Sequence, residues 1–165
     1  MVTHDVYIPQ IDWQVHVYYA VTGYHAPPIL ADLVEIDCPP KLMKRIAKNL
    51  RSGKMDTGFT YSNKQLRCTV MVVGMHSSPA QFLNSLEHEL RHLVDDISDA
   101  MRIPVRGEQV AYLTGDINAH IAEDVKMFLC DCHGCKTELG TKLSRNRPAK
   151  LLPVKHEHRT FESQT

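Results

Sequence analysis

The stretch from Ser78 to Met101 limits the possible folds of this chain more than any other. It contains no glycine, and its one proline, Pro79, follows a Ser77-Ser78 pair that suits a helix cap. At 100° per residue, with Phe82 as zero, the residues Phe82, Leu83, Leu86, Leu90, Leu93, Val94, Ile97 and Met101 fall within an arc of about 120°. His88, His92, Asp95 and Asp99 fall on a separate arc centred at about 250°, with Glu89 and Asp96 between the two. Only Asn84, Glu87, Arg91, Ser98 and Arg102 are left for solvent. The helix therefore carries an apolar stripe to bury and, beside it, a face of metal-ligand residue types.

That second face contains His88-Glu89-Leu90-Arg91-His92. Residues at i and i+4 of a helix are neighbours, so His88 and His92 can bind one metal ion side by side. Zinc accepts imidazole nitrogen and needs one more protein ligand if a fourth position is left for water. Glu89 is placed to take a proton from that water. The same residues also suit a solvated polar face.

Pro104 and Gly107 bracket a short turn, after which a second helix can run from about residue 107 to 129. Val110, Ile117, Ile121, Val125 and Phe128 line one side of it, and Glu108, Tyr112 and Asp116 stand in i, i+4, i+8 series on another. Helices joined by a short turn pack antiparallel. Glu108 is then either a third metal ligand or a first-turn glutamate favoured by the helix dipole. Tyr112, one turn on, is either a hydrogen-bond donor to a developing oxyanion or a packed tyrosine.

HELRH on one helix and a glutamate on the next resemble the zincin metallopeptidases, in particular the gluzincin branch. The run Glu108-x-x-Ala111 is similar to small intracellular zincins of the ImmA/IrrE type. The resemblance covers about residues 57–129. It implies His88, His92 and Glu108 as zinc ligands, Glu89 as general base and a peptide as substrate. It also implies that a strand of the preceding hairpin forms the upper edge of the cleft. The metzincin pattern is absent, because Asp95 and Ser98 stand where its glycine and third histidine belong. The thermolysin-like branch fits poorly, since there is no large second domain and His92 to Glu108 is a short spacing.

Before the motif, aromatic and β-branched residues from Val6 to Val21 predict a strand broken near Pro9. Pro39 opens a basic amphipathic helix, Lys41 to Leu50, closed by Ser52-Gly53. Segments 58–61 and 66–73, joined at Ser62-Asn63-Lys64, read as a β-hairpin. The expected class is α+β: a small zincin-like domain over residues 1–135, with a sheet packed on the motif helix and a second, glutamate-bearing helix.

A chain of 165 residues, 43% of them hydrophobic, suits one domain with a real core. No run approaches the roughly 18 apolar residues of a membrane span, and the N-terminus does not read as a signal peptide, so a cytoplasmic protein without membrane contact is expected. The zero net charge divides unevenly, with 12 Lys+Arg against 16 Asp+Glu in residues 1–135 and 7 against 3 in residues 136–165. The latter reads as a basic, solvated, flexible tail, and nucleic acid is not expected as a partner.

Cys130, Cys132, His133 and Cys135 crowd into six residues directly after the second helix. Such tracts bind metal or remain reduced thiols. Cys38 and Cys68 sit in apolar surroundings and are expected to be buried. Two function classes stay open: a zinc-dependent peptidase, and a non-catalytic zinc-binding or interaction module that retains the fold.

Overall fold

A computed structural model of the chain describes residues 1–53, 58–130 and 132–144. Its sheet starts from a hairpin. The strand Val2–Ile8 (β1) pairs antiparallel with Trp13–Val21 (β2). The break expected at Pro9 is a full reversal: proline has no N–H for the ladder, and Asp12 completes the turn at φ 52°. A 3₁₀ turn (Gly23–His25) leads into α1 (Ala26–Glu35) and then α2 (Pro40–Ser52). The hairpin of β3 (Gly58–Asn63) and β4 (Cys68–Gly74) follows. Next come α3 (Pro79–Met101), α4 (Glu108–Leu129) and α5 (His133–Ser144).

The four strands run in the order β1-β2-β4-β3, with β2 and β4 parallel and the other pairs antiparallel. The architecture is α+β, as the residue patterns predict. A parallel pair needs a crossover, and α1 and α2 supply it on one face of the sheet, where Ile29, Leu33, Ile46 and Leu50 pack on Tyr18, Val21, Val70 and Val72. On the other face α3 and α4 bury Phe82, Leu86, Leu90, Leu93, Ile117 and Ile121 against Trp13, Val15, Val17, Tyr19, Met71 and Val73. Strand alternation would send Val21 to the same side as Tyr19. The β2–β4 register shifts between Tyr18 and Val21, and Ala20 takes φ 53° there. This bulge turns Val21 to the α1/α2 side.

The ends of α3 follow the local chemistry. Ser78 accepts a hydrogen bond from the Gln81 N–H, Pro79 occupies the first turn, and Arg102 ends the helix at φ 56°. Gly107, at φ 112°, then permits the entry into α4. The predicted stripe is buried except at its margins: Leu83 is exposed and Met101 half-buried. Cys38 and Cys68 are both buried.

Two helices were not expected. In α1, Pro27-Pro28 reads as a breaker but falls in the first turn, where proline's missing N–H costs nothing. In α5, residues 136–144 continue a helix where a tail was expected to begin. Two glycines and weak amphipathicity hide that helix. The remainder of the expected tail, from residue 145, lies outside the described residues.

At the centre of the α3/α4 core, Tyr19 is fully buried between Phe82 and Phe128, with ring centroids 6.2 and 5.5 Å away. Its hydroxyl has no hydrogen-bond partner among the described residues. A buried, unsatisfied hydroxyl costs desolvation without a return. Tyr19→Phe is therefore expected to raise unfolding stability in urea by about 1 kcal/mol. A loss of stability would show that the hydroxyl is satisfied.

Candidate functional site

The expected HExxH helix is α3, and its polar face opens beside β3. His88 and His92 are exposed, with Nε2 atoms 3.2 Å apart and ring planes at 80°. Two nitrogens bound tetrahedrally to one zinc at about 2.0–2.1 Å lie roughly 3.3 Å apart. The two rings are within hydrogen-bond distance of each other, a spacing that a single zinc ion would also accept.

Glu89 lies beside the pair on the side nearer the core, against β3, and is only 1% exposed. A carboxylate is costly to bury without hydrogen-bond donors. Thr60, in the middle of β3, supplies one such donor: its hydroxyl lies 2.9 Å from Glu89 Oε2 and 3.1 Å from the Glu89 carbonyl oxygen. Gly58, two residues earlier on the same face, keeps the strand close. A Cβ there would run into the Val72 carbonyl and lie 3.3 Å from Glu89 Cγ. Gly58, Phe59, Thr60, His88, Glu89, His92 and Asp96 together line a shallow cleft of about 280 Å³. That is below the size of an enclosed small-molecule pocket, and one of its walls is a strand at the edge of the sheet.

Lys64, in the β3–β4 turn, fastens this wall to α3. Its Nζ is 2.6 Å from Asp99 Oδ2 and 3.4 Å from Asp96 Oδ1. The Asp99 contact raises the Lys64 pKa, and Lys64 in turn lowers that of Asp99. Asn63 Oδ1 accepts from the Gln65 and Leu66 N–H groups, which shapes the turn that presents Lys64. Asp95 pairs with Arg91 at 2.7 Å. Of Asp95, Asp96, Asp99 and Asp116, acids that could orient the imidazoles from behind, only Asp96 lines the cleft; Asp116 is exposed on α4.

Glu108 and Tyr112 are not brought to this cleft. Both are exposed, Tyr112 at 70%. The core face of α4 is Leu113, Ile117, Ile121 and Val125, and at 100° per residue Glu108 and Tyr112 lie about 160° from its centre. Helix α4 also packs on the far flank of α3: Leu83 and Leu86 share a groove with Ile121 and Val125, about 170° around α3 from the two histidines. Of the hairpin strands considered as the cleft's upper edge, β3 is the edge strand and β4 is internal.

Residues 58–64 carry the part of the site that the motif alone does not reveal. The available signal was the period of two along the strand, which puts Gly58, Thr60 and Ser62 on one face.

A second cluster lies at the opposite end of α4. The Sγ atoms of Cys130, Cys132 and Cys135 all lie within 4.8 Å of one another and can hold a metal ion; His133 is not part of this group. The Cys135 and Cys132 thiols share hydrogen bonds unequally. Cys132 is lowered to about 7, first by the Cys135 N–H, and Cys135 is raised to about 11, first by its bond to Cys132. Among the described residues this is the group of three such donors that converges, whereas His88 and His92 form a pair. No helix among the described residues is long and apolar enough to cross a membrane. No family model, curated protein or solved structure matches the chain.

Proposed function

We propose that the chain is a zinc-dependent hydrolase acting on peptide bonds, with His88 and His92 as metal ligands and Glu89 as general base. The carrying observation is the 3.2 Å separation of the two Nε2 atoms one residue away from a buried glutamate. Zinc held there would supply a Lewis acid for the substrate carbonyl and an acidified water. The remaining work belongs to the chain. Thr60 holds Oε2 of Glu89, so the carboxylate keeps one orientation while it accepts a proton and returns it to the departing amine. The outer edge of β3 faces away from β4 and offers backbone groups to an extended peptide, which supports a peptide substrate.

A third protein ligand has to come from outside the His88–His92 register, because eight residues of straight helix rise about 12 Å. This rules out Asp96 as a partner of His88 on one ion. Glu108, the expected ligand, would have to cross from the far flank of α3. On this geometry Glu108→Ala is expected to leave zinc bound, while His88→Ala and His92→Ala each remove it from this site, as read by elemental analysis after dialysis. Loss of zinc in the Glu108 variant would mean that α4 repacks on α3 when the metal binds.

One observation favours a second reading. With two converging donors and Tyr112 turned to solvent, the cleft also suits a non-catalytic zinc-binding module. A wild-type protein that holds zinc at His88 and His92 yet cleaves no member of a peptide library would select that reading.

A further inference from the structure

The apolar groove between α3 and α4, the buried His16–Asp5 and Tyr18–Asp32 pairs, and the thiol cluster each lie outside the histidine site. Only the cluster combines converging donors with a structural need. We propose that Cys130, Cys132 and Cys135 bind a second, structural zinc ion that staples α5 to the end of α4.

The need comes from α5 itself. It has 12 residues, below the length at which an isolated helix is stable, and it contains Gly134 and Gly140. Its apolar anchors on the core are Leu139 and Leu143, both only partly buried. One ion pair adds to them: Lys142 Nζ lies 3.1 Å from Asp124 of α4, which also pairs with His4 of β1. All these contacts act on the second half of the helix. The thiol cluster sits at its first turn.

The geometry there suits a soft cation. Three sulfurs around a tetrahedral zinc at about 2.3 Å lie roughly 3.8 Å apart. Contacts within 4.8 Å need to contract by about 1 Å or less to reach that arrangement. The backbone already favours negative sulfur. The Cys132 N–H donates to Cys130 Sγ at 3.4 Å and the Cys135 N–H to Cys132 Sγ at 3.5 Å. Cys130 caps α4 through its N–H to the Lys126 carbonyl, and Cys132 opens α5 through its carbonyl to the Lys136 N–H. One ion therefore joins the residue that caps one helix to the first turn of the next. On binding, each ligating thiol releases its proton to the solvent and no electron is transferred; the three thiolates fill three of the four tetrahedral positions.

The test uses the full chain with His88→Ala and His92→Ala as background, so that the outcome is independent of the proposed hydrolase site. After loading with zinc alone under reducing conditions, one zinc per chain is expected. Adding Cys132→Ser should weaken that binding about 10²-fold or more. Cobalt in place of zinc should show thiolate-to-metal charge-transfer absorption that is weaker in the serine variant, which keeps two of the three thiols. Amide hydrogen exchange should be slowed across residues 133–144 by zinc and restored by a chelator. No zinc in the histidine-free background would overturn the site, as would one zinc shared by two chains. Zinc without slowed exchange in α5 would overturn the staple.

Discussion

Replacing Glu89 by glutamine is expected to lower any peptide-hydrolysis rate by about 10²-fold or more while the protein stays folded and keeps its zinc. Glutamine has the same shape and still accepts the Thr60 hydroxyl through its amide oxygen, so the 2.9 Å contact under β3 can survive. What it cannot do is take a proton. Rate loss with retained zinc thus separates proton transfer from metal binding, which His88→Ala and His92→Ala remove together. The zinc content and the thermal transition of the variant are measured alongside the rate. Equal rates for variant and wild type would show that Glu89 is not the general base.

Replacing Asp5 by asparagine is expected to cost about 2 kcal/mol at pH 6, somewhat less than a fully buried pair, because Asp5 is 29% exposed. His16 lies opposite Asp5 in the β1–β2 register, is itself 5% exposed, and approaches it at 2.7 Å. Burial alone would drive the proton off the imidazole. The hydrogen bonds to Asp5 and Cys68 outweigh it and push His16 up to about 10. A folded pKa raised above the unfolded value of 6.5 stabilises fully below pH 6.5, and that contribution is lost as pH rises towards 10. The stability gap between Asp5→Asn and wild type in urea should therefore be widest near pH 6 and narrow towards pH 10. A gap that stays constant over that range would show that His16 is neutral in the folded protein.

The helices α2, α3 and α4 and the β3–β4 hairpin were legible in the sequence because each carries its own signal: an amphipathic period, a cap, a turn. The class followed from their order. What stayed hidden depends on tertiary placement. Pro27-Pro28 looks like a stop until the chain is seen to begin α1 there. Gly134 and Gly140 lower the local signal of α5, whose support comes from α4 rather than from its own residues. The motif placed His88, Glu89 and His92 correctly on one helix, since i to i+4 spacing is a local property. Glu108 is expected at the site on the strength of the zincin resemblance and of antiparallel packing, and Tyr112 only through its place one turn beyond Glu108. Which flank of α3 the second helix covers is decided by where the two apolar stripes meet, and Leu83, Leu86 and Leu90 draw α4 to the side away from the histidines. Thr60 escaped notice for a similar reason: a threonine in a strand has no signature until the partner helix is known.

The parallel pairing of β2 with β4 also governs when the site comes into being. The centre of the sheet cannot close until the chain from residue 22 to 67 has looped back, so its formation carries the entropy of a long closure. Thr60 belongs to that loop, and Glu89 follows it in the chain. Until β3 is in place, Glu89 lacks the strand that buries and orients it. On the proposed hydrolase reading, Glu89 is therefore positioned to move a proton only once β3 has joined the sheet.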